Sequence, residues 1–213
     1  MESPLHEIAP DGLEIIETFG FTPKGGFERL ALHIDRCEAT CRTLGFPFDR
    51  GVVLQSIGEA VAEDPARVRM TVDATGQVKV VAYELAETPR LWRVGVSEDR
   101  LRSDDPWLAV KTTQRALYDR VRGELPEGVD EMIFLNERDE ICEGTITNLF
   151  VKQGDIYATP PLSAGVLPGC LRQEFLETRQ AREKNLHISD LIGGFFLGNS
   201  LRGLIAAELI ESP

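Results

Sequence analysis

The sequence predicts an α+β protein of two domains, a small N-terminal one over residues 1–88 and a larger C-terminal one over residues 89–213. Three observations lead to this prediction. Helix and strand patterns mix in both halves, and the strands follow one another as hairpins instead of alternating steadily with helices. The stretch AETPR at 86–90 has the composition of a short linker. With 213 residues and 42% hydrophobic content, the chain can bury a core in one large or two small domains.

The first half of the chain carries two helix patterns and one hairpin pattern. Apolar residues recur at helical spacing over 27–44, which predicts an amphipathic helix that ends at Gly45. A second helix is predicted over about 51–63. Apolar and polar residues alternate over 67–85 on both sides of a turn at 73–76, which predicts a β-hairpin.

The second half is predicted to contain more strands than helices. The stretch 141–159 reads as two strands joined by a turn, and the chain ends with a strand, a small-residue turn and an apolar strand. The other predicted elements are a strand at about 91–96 followed by a polar loop to 106, a helix at about 112–123, a strand at 131–136, and a helix at 168–180.

Charge and composition argue against two classes of partner. The net charge of −12 disfavours a nucleic-acid surface, because phosphate binding needs clustered Lys and Arg. No apolar run approaches the roughly 20 residues that cross a bilayer. The first ten residues, MESPLHEIAP, lack the basic and apolar regions of a secretory leader. We therefore expect a cytoplasmic protein without nucleic-acid or membrane partners.

The pattern of cysteines and histidines predicts neither a zinc site nor a disulfide framework. The four cysteines form no C-x-x-C pair, and the three histidines are scattered. Cys37 and Cys41 are expected to be small buried hydrophobes on the first long helix. Cys170 stands at a possible helix start, where the pKa of a thiol can fall. No histidine is near it in sequence, so a catalytic cysteine is disfavoured.

Lys111 differs from the other four lysines, which lie in turns or on polar faces. It follows the apolar segment PWLAV and precedes two threonines. An amine held there would be partly desolvated, which lowers its pKa and makes it a competent Schiff-base nucleophile. The alternative is an ordinary lysine whose stem covers apolar surface while its amine reaches water.

Two turns of small residues have the composition of phosphate-binding seats. GVLPGCLR opens a helix at Gly169, where backbone N–H groups lack helical partners, and LGNSLRG places Ser200 at a strand end. Each turn alone could be purely structural, and Glu143 in CEGTITNLF could be a solvated acid at a strand edge. Together with Lys111, these features indicate a phosphorylated cofactor that also needs an amine.

Five motifs, in order, resemble the class IV family of pyridoxal-phosphate enzymes, which includes branched-chain aminotransferases, D-amino acid aminotransferases and aminodeoxychorismate lyases. The resemblance runs from about residue 13 to the end. It implies fold type IV with a small N-terminal α/β domain, pyridoxal 5'-phosphate as the cofactor, and a homodimer, because family members build each active site beside a neighbouring subunit. The motifs are HIDR (33–36), VKTTQRALYD (110–119), EICEGTITNLFV (140–151), PPLSAGVLPGCLR (160–172) and FFLGNSLRG (195–203).

The resemblance also implies a role for each motif. Lys111 would hold the cofactor and act as acid and base at the substrate, Arg36 would reach the cofactor phosphate, and Glu143 would bond the pyridine nitrogen. The small residues 144–147 would let the cofactor approach the strand, and Asn148 would tie the local backbone. The residues implied at the phosphate turns are Gly169, Cys170, Leu171, Ser200 and Leu201.

Within the family, the favoured function is an aminodeoxychorismate lyase-type release of pyruvate to give 4-aminobenzoate for folate synthesis. Arg115, four residues after Lys111, and the turn NSLRG resemble lyase members. Two alternatives stay open, an aminotransferase of a small D- or branched-chain amino acid and a non-catalytic binding module of the same fold. The candidate anchors for a carboxylate of this small amino substrate, by charge alone, are Arg69, Arg93, Arg115 and Arg202.

Overall fold

The structure is a computed structural model that describes residues 4–60 and 63–210. The chain forms two compact units, one from Met1–Glu87 with Val110–Gln114 (unit 1) and one from Thr88–Ala109 with Arg115–Pro213 (unit 2). Both units mix strands and helices, which confirms the predicted α+β class. A boundary between independent domains near residue 88 stays a prediction.

Unit 1 is built on a four-stranded antiparallel sheet in the order β2-β1-β3-β4. Helix α2 packs against β1 and helix α3 against β4. The helix predicted over 27–44 begins at Leu30, and the one predicted to reach residue 63 ends at Glu59; residues 61 and 62 lie outside the described residues. The elements of unit 1 are α1 (Pro4–Glu7), β1 (Glu14–Thr22), β2 (Gly26–Phe27), α2 (Leu30–Leu44), α3 (Arg50–Glu59), β3 (Ala66–Asp73) and β4 (Val78–Glu84).

The segment Val110–Gln114 is extended and runs beside β1. Thr112 bridges to Ile15, Ile16 donates its N–H to the carbonyl of Lys111 over 2.8 Å, and Thr113 donates to the carbonyl of Glu14 over 2.9 Å. Because these backbone groups bond to a strand, they cannot form helical bonds. The helix predicted from residue 112 therefore begins only at Ala116.

Unit 2 is built on an eight-stranded mixed sheet in the order β10-β9-β8-β11-β12-β5-β6-β7. Strand β7 also pairs with β8, so six of the strands close into a ring. The elements of unit 2 are β5 (Leu91–Leu101), α4 (Ala116–Gly123), β6 (Glu131–Asn136), β7 (Ile141–Gly144), β8 (Asn148–Gln153), β9 (Ile156–Thr159), α5 (Cys170–Glu177), β10 (Ala181–Glu183), β11 (Phe195–Asn199) and β12 (Gly203–Leu209), with short 3₁₀ turns between some of them.

Three predicted elements of unit 2 differ from the structure. The stretch 141–159 forms three strands instead of two, because a turn at 145–147 separates β7 from β8. Strand β5 continues to Leu101, where a polar loop was expected, because its ladder with β6 resumes after a bulge. Helix α5 is shorter than the predicted span 168–180.

Both units bury continuous apolar surface. In unit 1 the strands and α2 enclose Phe19, Ile34 and Met70, and in unit 2 the ring of strands encloses Ile133, Leu149 and Phe195 among others. Within the residues that the structure describes, no helix is both long and apolar enough to cross a membrane.

Candidate functional site

Strand β1 and helix α2 bring three ionisable side chains together inside unit 1. Glu17 and His33 are each only 1% exposed, and Arg36 is one helical turn after His33. Nδ1 of His33 lies 2.5 Å from Oε2 of Glu17. Arg36 donates from Nε to Oε1 of Glu17 over 2.9 Å and from Nη2 to Oε2 over 2.5 Å. The guanidinium therefore holds both oxygens of one buried carboxylate.

The charges of this cluster set the protonation of its members. Burial alone would raise the pKa of Glu17, but Arg36 and the hydrogen bond from His33 outweigh it and lower the pKa from 4.5 to about 2. Burial lowers the pKa of His33 against the opposing effect of Glu17, and the charges of Arg36 and Lys111 lower it further. At neutral pH the cluster is a charged Glu17–Arg36 pair beside a neutral His33 that donates from Nδ1.

Lys111 lies half-buried in the extended segment of the same unit. Its carbonyl accepts the N–H of Ile16, the residue before Glu17, so β1 fixes its backbone. The charge of Lys111 contributes, as the smallest cause, to the lowered pKa of His33. Unit 1 thus brings two predicted motifs, HIDR and the lysine segment, to the same strand although they are far apart in sequence.

In unit 2, Glu143 is a buried carboxylate on β7 that accepts hydrogen bonds from neutral donors. Oε1 accepts from the phenol of Tyr118 over 2.8 Å. Oε2 accepts from the backbone N–H of Leu167 over 2.9 Å and from Nδ2 of Asn148 over 3.3 Å. Asn148 also donates to the carbonyl of Leu167 over 3.0 Å. The asparagine therefore ties the acid to the backbone before α5, in line with its implied structural role.

Tyr118 is fixed by its surroundings as a donor. Its ring contacts Phe134 edge to face at 5.2 Å between centroids, and Cζ of Arg115 lies 5.6 Å from its centroid. Burial raises the pKa of the phenol, and the neighbouring Glu143 carboxylate raises it further. Tyr118 therefore stays protonated and donates a hydrogen bond to Glu143.

Helix α5 begins beside Asn148 with a glycine as its cap residue. At Gly169 no side chain of the described residues caps the N-terminus of this helix. A Cβ on Gly169 would lie 1.9 Å from Oδ1 of Asn148, so only glycine fits there. Cys170 and Leu171 in the first turn are buried. Because the first N–H groups of a helix carry partial positive charge, this end of α5 suits an anion.

The turn after β11 reaches the same part of unit 2. Asn148 pairs with Glu143 on β7 and with Gly198 on β11, so the strand that leads into this turn is a neighbour of the acid. Oδ1 of Asn199 accepts the N–H groups of Leu201 over 3.1 Å and Arg202 over 2.9 Å. Ser200 within this turn is buried. Unit 2 thus brings three predicted motifs together around Asn148.

The arginines that were singled out by charge have different surroundings. Arg115 donates to Asp119 over 2.7 Å and to the carbonyl of Thr145 over 3.0 Å, which links α4 to the turn after Glu143. Arg202 lies with Cζ 5.8 Å from the centroid of the Trp92 ring. Arg69 is half-buried on β3, and Arg93 is exposed on β5. Binding of substrate by any of them stays a prediction.

Four residues of these networks were not found from the sequence. Glu17 accepts from Arg36, and Tyr118 donates to Glu143. Asn199 holds the turn after β11, and Glu131 is a fully buried carboxylate at the start of β6. The signal for Glu17 is an acid in the middle of the largely apolar strand of EIIETFGF. Glu131 precedes the apolar run MIFLN in the same way, but nothing local indicates its partners.

Comparison with known proteins gives one family. The family model for amino-transferase class IV matches residues 14–210. Aminodeoxychorismate lyase of Vibrio harveyi is 25% identical over 221 residues, with 90% of this chain and 81% of the relative covered. A Mesorhizobium loti structure, provisionally described as an amino-acid aminotransferase, superposes with a TM-score of 0.87 at 36% identity and covers 93% of this chain and 100% of its own. The 4-amino-4-deoxychorismate lyase of Pseudomonas aeruginosa shares the fold, with a TM-score of 0.79 at 18% identity over 93% of this chain and 83% of its own.

Proposed function

The chain belongs to the class IV aminotransferase family, whose enzymes depend on pyridoxal phosphate, and on this premise we propose that it is a lyase of the aminodeoxychorismate type. It would release pyruvate from aminodeoxychorismate and leave 4-aminobenzoate, a precursor of folate. The name of the Vibrio harveyi relative supports this reaction. The observation that carries the choice within the family is Arg115, four residues after Lys111, a pattern that resembles lyase members.

The residues that the family resemblance implies offer groups that suit pyridoxal phosphate. Lys111 of unit 1 supplies an amine, and Arg36 of the same unit supplies a guanidinium whose orientation is fixed by Glu17. Glu143 accepts hydrogen bonds from Tyr118, Asn148 and Leu167, and its carboxylate is a suitable partner for a protonated ring nitrogen. The start of α5 offers backbone N–H groups for a phosphate.

The roles we propose for the chain's own residues follow from this chemistry. When bound, the cofactor supplies an electron sink for the substrate carbon that loses a proton. Lys111 would hold the cofactor and, with substrate bound, would take the proton from the carbon that bears the substrate amine. Glu143 holds the proton on the ring nitrogen. The leaving group departs as enolpyruvate from the adjacent carbon, and the remaining ring becomes aromatic.

An aminotransferase of a small amino acid is the second candidate. It is favoured by the Mesorhizobium loti structure, which is 36% identical and provisionally described as an amino-acid aminotransferase. Both reactions begin with loss of a proton from the same carbon, so Lys111 and Glu143 would act alike in both. A non-catalytic binding module is the third candidate, and retention of Lys111, Glu143 and Arg36 argues against it.

The deciding experiment supplies purified, cofactor-loaded protein with aminodeoxychorismate and measures 4-aminobenzoate and pyruvate. We expect both products in equal amounts. The absence of 4-aminobenzoate, together with amino transfer that depends on a keto acid, would replace the lyase with the aminotransferase. Borohydride reduction should fix the cofactor to a peptide that contains Lys111. Colourless protein that ignores added pyridoxal phosphate would favour the binding module.

Lys111→Ala is the matching variant. We expect it to fold and to bind the cofactor without a covalent bond, but to lose turnover, because no other lysine would take the substrate proton. Near-normal turnover of any amino substrate by this variant would overturn the proposed function. A homodimeric state and a cytoplasmic location, both expected from the sequence, are further parts of the proposal.

A further inference from the structure

We propose that Glu131 is a positioning residue, which holds the turn between Glu143 and Asn148 in shape and thereby orients the cofactor contacts on both sides of that turn. The inference rests on the proposed function, in which Glu143 and the turn at Ser200 contact the cofactor. Glu131 itself lies at the start of β6 and is 0% exposed, so it acts through the turn and not by touching the substrate.

The carboxylate of Glu131 accepts hydrogen bonds from four donors of the turn at 145–147. Oε1 accepts the N–H of Thr145 over 3.1 Å and its hydroxyl over a shorter distance. Oε2 accepts the N–H of Ile146 and the hydroxyl of Thr147, both over 3.3 Å. One buried side chain thus replaces the backbone partners that a turn of this length lacks.

The turn requires a carboxylate and not merely a polar side chain. Four donors of the turn point at two oxygens, and Nη1 of Arg122 lies 3.4 Å from Oε1 and 3.1 Å from the Thr145 hydroxyl. An ionised carboxylate only accepts hydrogen bonds, whereas an amide would direct N–H groups at N–H and O–H donors. A buried donor without an acceptor is destabilising, so glutamine would not be equivalent.

Gly144 shows how closely Glu131 packs under the turn. A Cβ at this position would lie 2.4 Å from Oγ1 of Thr147 and 3.0 Å from Cδ of Glu131. The small polar residues that follow Glu143 are therefore explained by the carboxylate of Glu131. This adds a structural reason to the expectation that they make room for a cofactor.

The turn at 145–147 is connected to two neighbouring elements. The carbonyl of Ile146 accepts from Nδ2 of Asn199 over 3.1 Å, and Oδ1 of Asn199 holds the N–H groups at Leu201 and Arg202. Ser200 lies within this second turn. On the other side, the turn joins directly to Glu143 at the end of β7. A shift of the turn would therefore displace both the acid and the Ser200 turn.

The experiment compares Thr145→Val, which removes one hydroxyl donor to Glu131, with Glu131→Gln, and uses Thr159→Val as the matched control. Thr159 is also fully buried on a strand of unit 2, but its hydroxyl has no hydrogen-bond partner within the described part of the chain. For each apoprotein, the dissociation constant of added pyridoxal phosphate is measured by fluorescence, together with the pH midpoint of the bound cofactor's visible absorbance and the melting temperature.

We expect Thr145→Val to weaken cofactor binding about fivefold, the effect of losing one hydrogen bond, and to shift the pH midpoint. Glu131→Gln should weaken binding more, and Thr159→Val should leave both quantities unchanged. If Thr145→Val melts at a lower temperature but binds the cofactor with unchanged affinity and midpoint, Glu131 is purely structural and the proposal fails. If the wild-type protein does not bind pyridoxal phosphate at all, it is the proposed function that fails. If Glu131→Gln does not fold, the comparison of Thr145→Val with Thr159→Val still tests the proposal.

Discussion

The phenol of Tyr118 donates its hydrogen bond to Oε1 of Glu143 over 2.8 Å, while the other carboxylate oxygen is held by Leu167 and Asn148. Tyr118 lies on α4, shortly after the lysine segment Val110–Gln114, and Glu143 lies on β7 in the closed ring of strands. The contact therefore joins the helix in which one predicted motif ends to the acid of another. Hydrogen bonds from residues of this unit therefore orient both oxygens of Glu143.

Removal of the Tyr118 hydroxyl should loosen the acid. We expect Tyr118→Phe to lower the free energy of unfolding by about 1.5–3 kcal/mol, the value of a hydrogen bond to a charged group, and to lower kcat. Denaturant unfolding and steady-state kinetics measure the two effects. Tyr157→Phe is the matched control, because Tyr157 packs its ring among Phe150, Phe175 and Phe196 in the same unit. Equal losses in both variants would contradict a specific role for the Tyr118 hydroxyl.

The charge of Glu143 should matter more than its shape. In Glu143→Gln the amide oxygen can still accept from Leu167 and Asn148, and the hydroxyl of Tyr118 can turn to accept from the new amide N–H. The variant should therefore fold and still be labelled at Lys111 by borohydride. We expect kcat to fall by about two orders of magnitude, close to 3 kcal/mol, because the ring nitrogen loses its anionic partner. Turnover within a factor of a few of wild type would refute this role.

The buried Glu17 should make the protein sensitive to acid. Its pKa is lowered in the folded state from 4.5 to about 2, so its stabilising contribution is fully present above pH 4.5 and is lost as the pH falls towards 2. The shift corresponds to stability on the order of 3 kcal/mol. Burial likewise lowers the pKa of His33, so protonation of this residue also favours unfolding at acid pH. Urea unfolding at pH 7, 4 and 3 measures the trend.

Two variants separate Glu17 from the rest of the acid response. Glu17→Gln should be destabilised by about 3–5 kcal/mol at pH 7, because the substitution removes the buried carboxylate that accepts from Arg36 and His33, and should lose much of the change between pH 4.5 and 3. Glu38→Gln on the same helix as Arg36 is the control, since Glu38 is exposed at 37% of its side chain. If Glu17→Gln kept the wild-type dependence on pH, the low pKa of Glu17 would be wrong.

Gly169→Ala should disrupt the start of α5. The new Cβ would lie 1.9 Å from Oδ1 of Asn148, so either the helix start or Asn148 must move, and Asn148 also holds Glu143. We expect a loss of stability of about 1–3 kcal/mol and weaker cofactor binding. Gly58→Ala in α3 meets nothing within 4 Å and should instead stabilise the protein by up to about 1 kcal/mol, as alanine favours helix. Thermal melts of both variants test the contrast.

Light scattering after gel filtration at micromolar concentration tests the homodimer. We expect twice the chain mass of 23.7 kDa, because family members build each active site beside a neighbouring subunit. A fully active monomer would contradict this part of the proposal.

The sequence by itself determined the features that depend on near neighbours in the chain. The apolar stripe of α2 and the alternation in β3 and β4 follow from helical and strand periods, and the order of five motifs identified the family. Lys111, Glu143 and Gly169 could be singled out because each stands in an unusual local context. Where the local pattern was ambiguous, as at residues 97–101 and 110–114, it led to a loop or a helix where the structure has extended backbone.

Only the tertiary structure decided which groups meet. Glu17 and Glu131 read in sequence as acids beside apolar residues, yet one pairs with Arg36 and the other holds the turn beyond Glu143. Their partners lie many residues away, and a buried charge is tolerable only where the fold brings such partners to it. No local period encodes that requirement, because it is satisfied by the pairing of whole strands and helices.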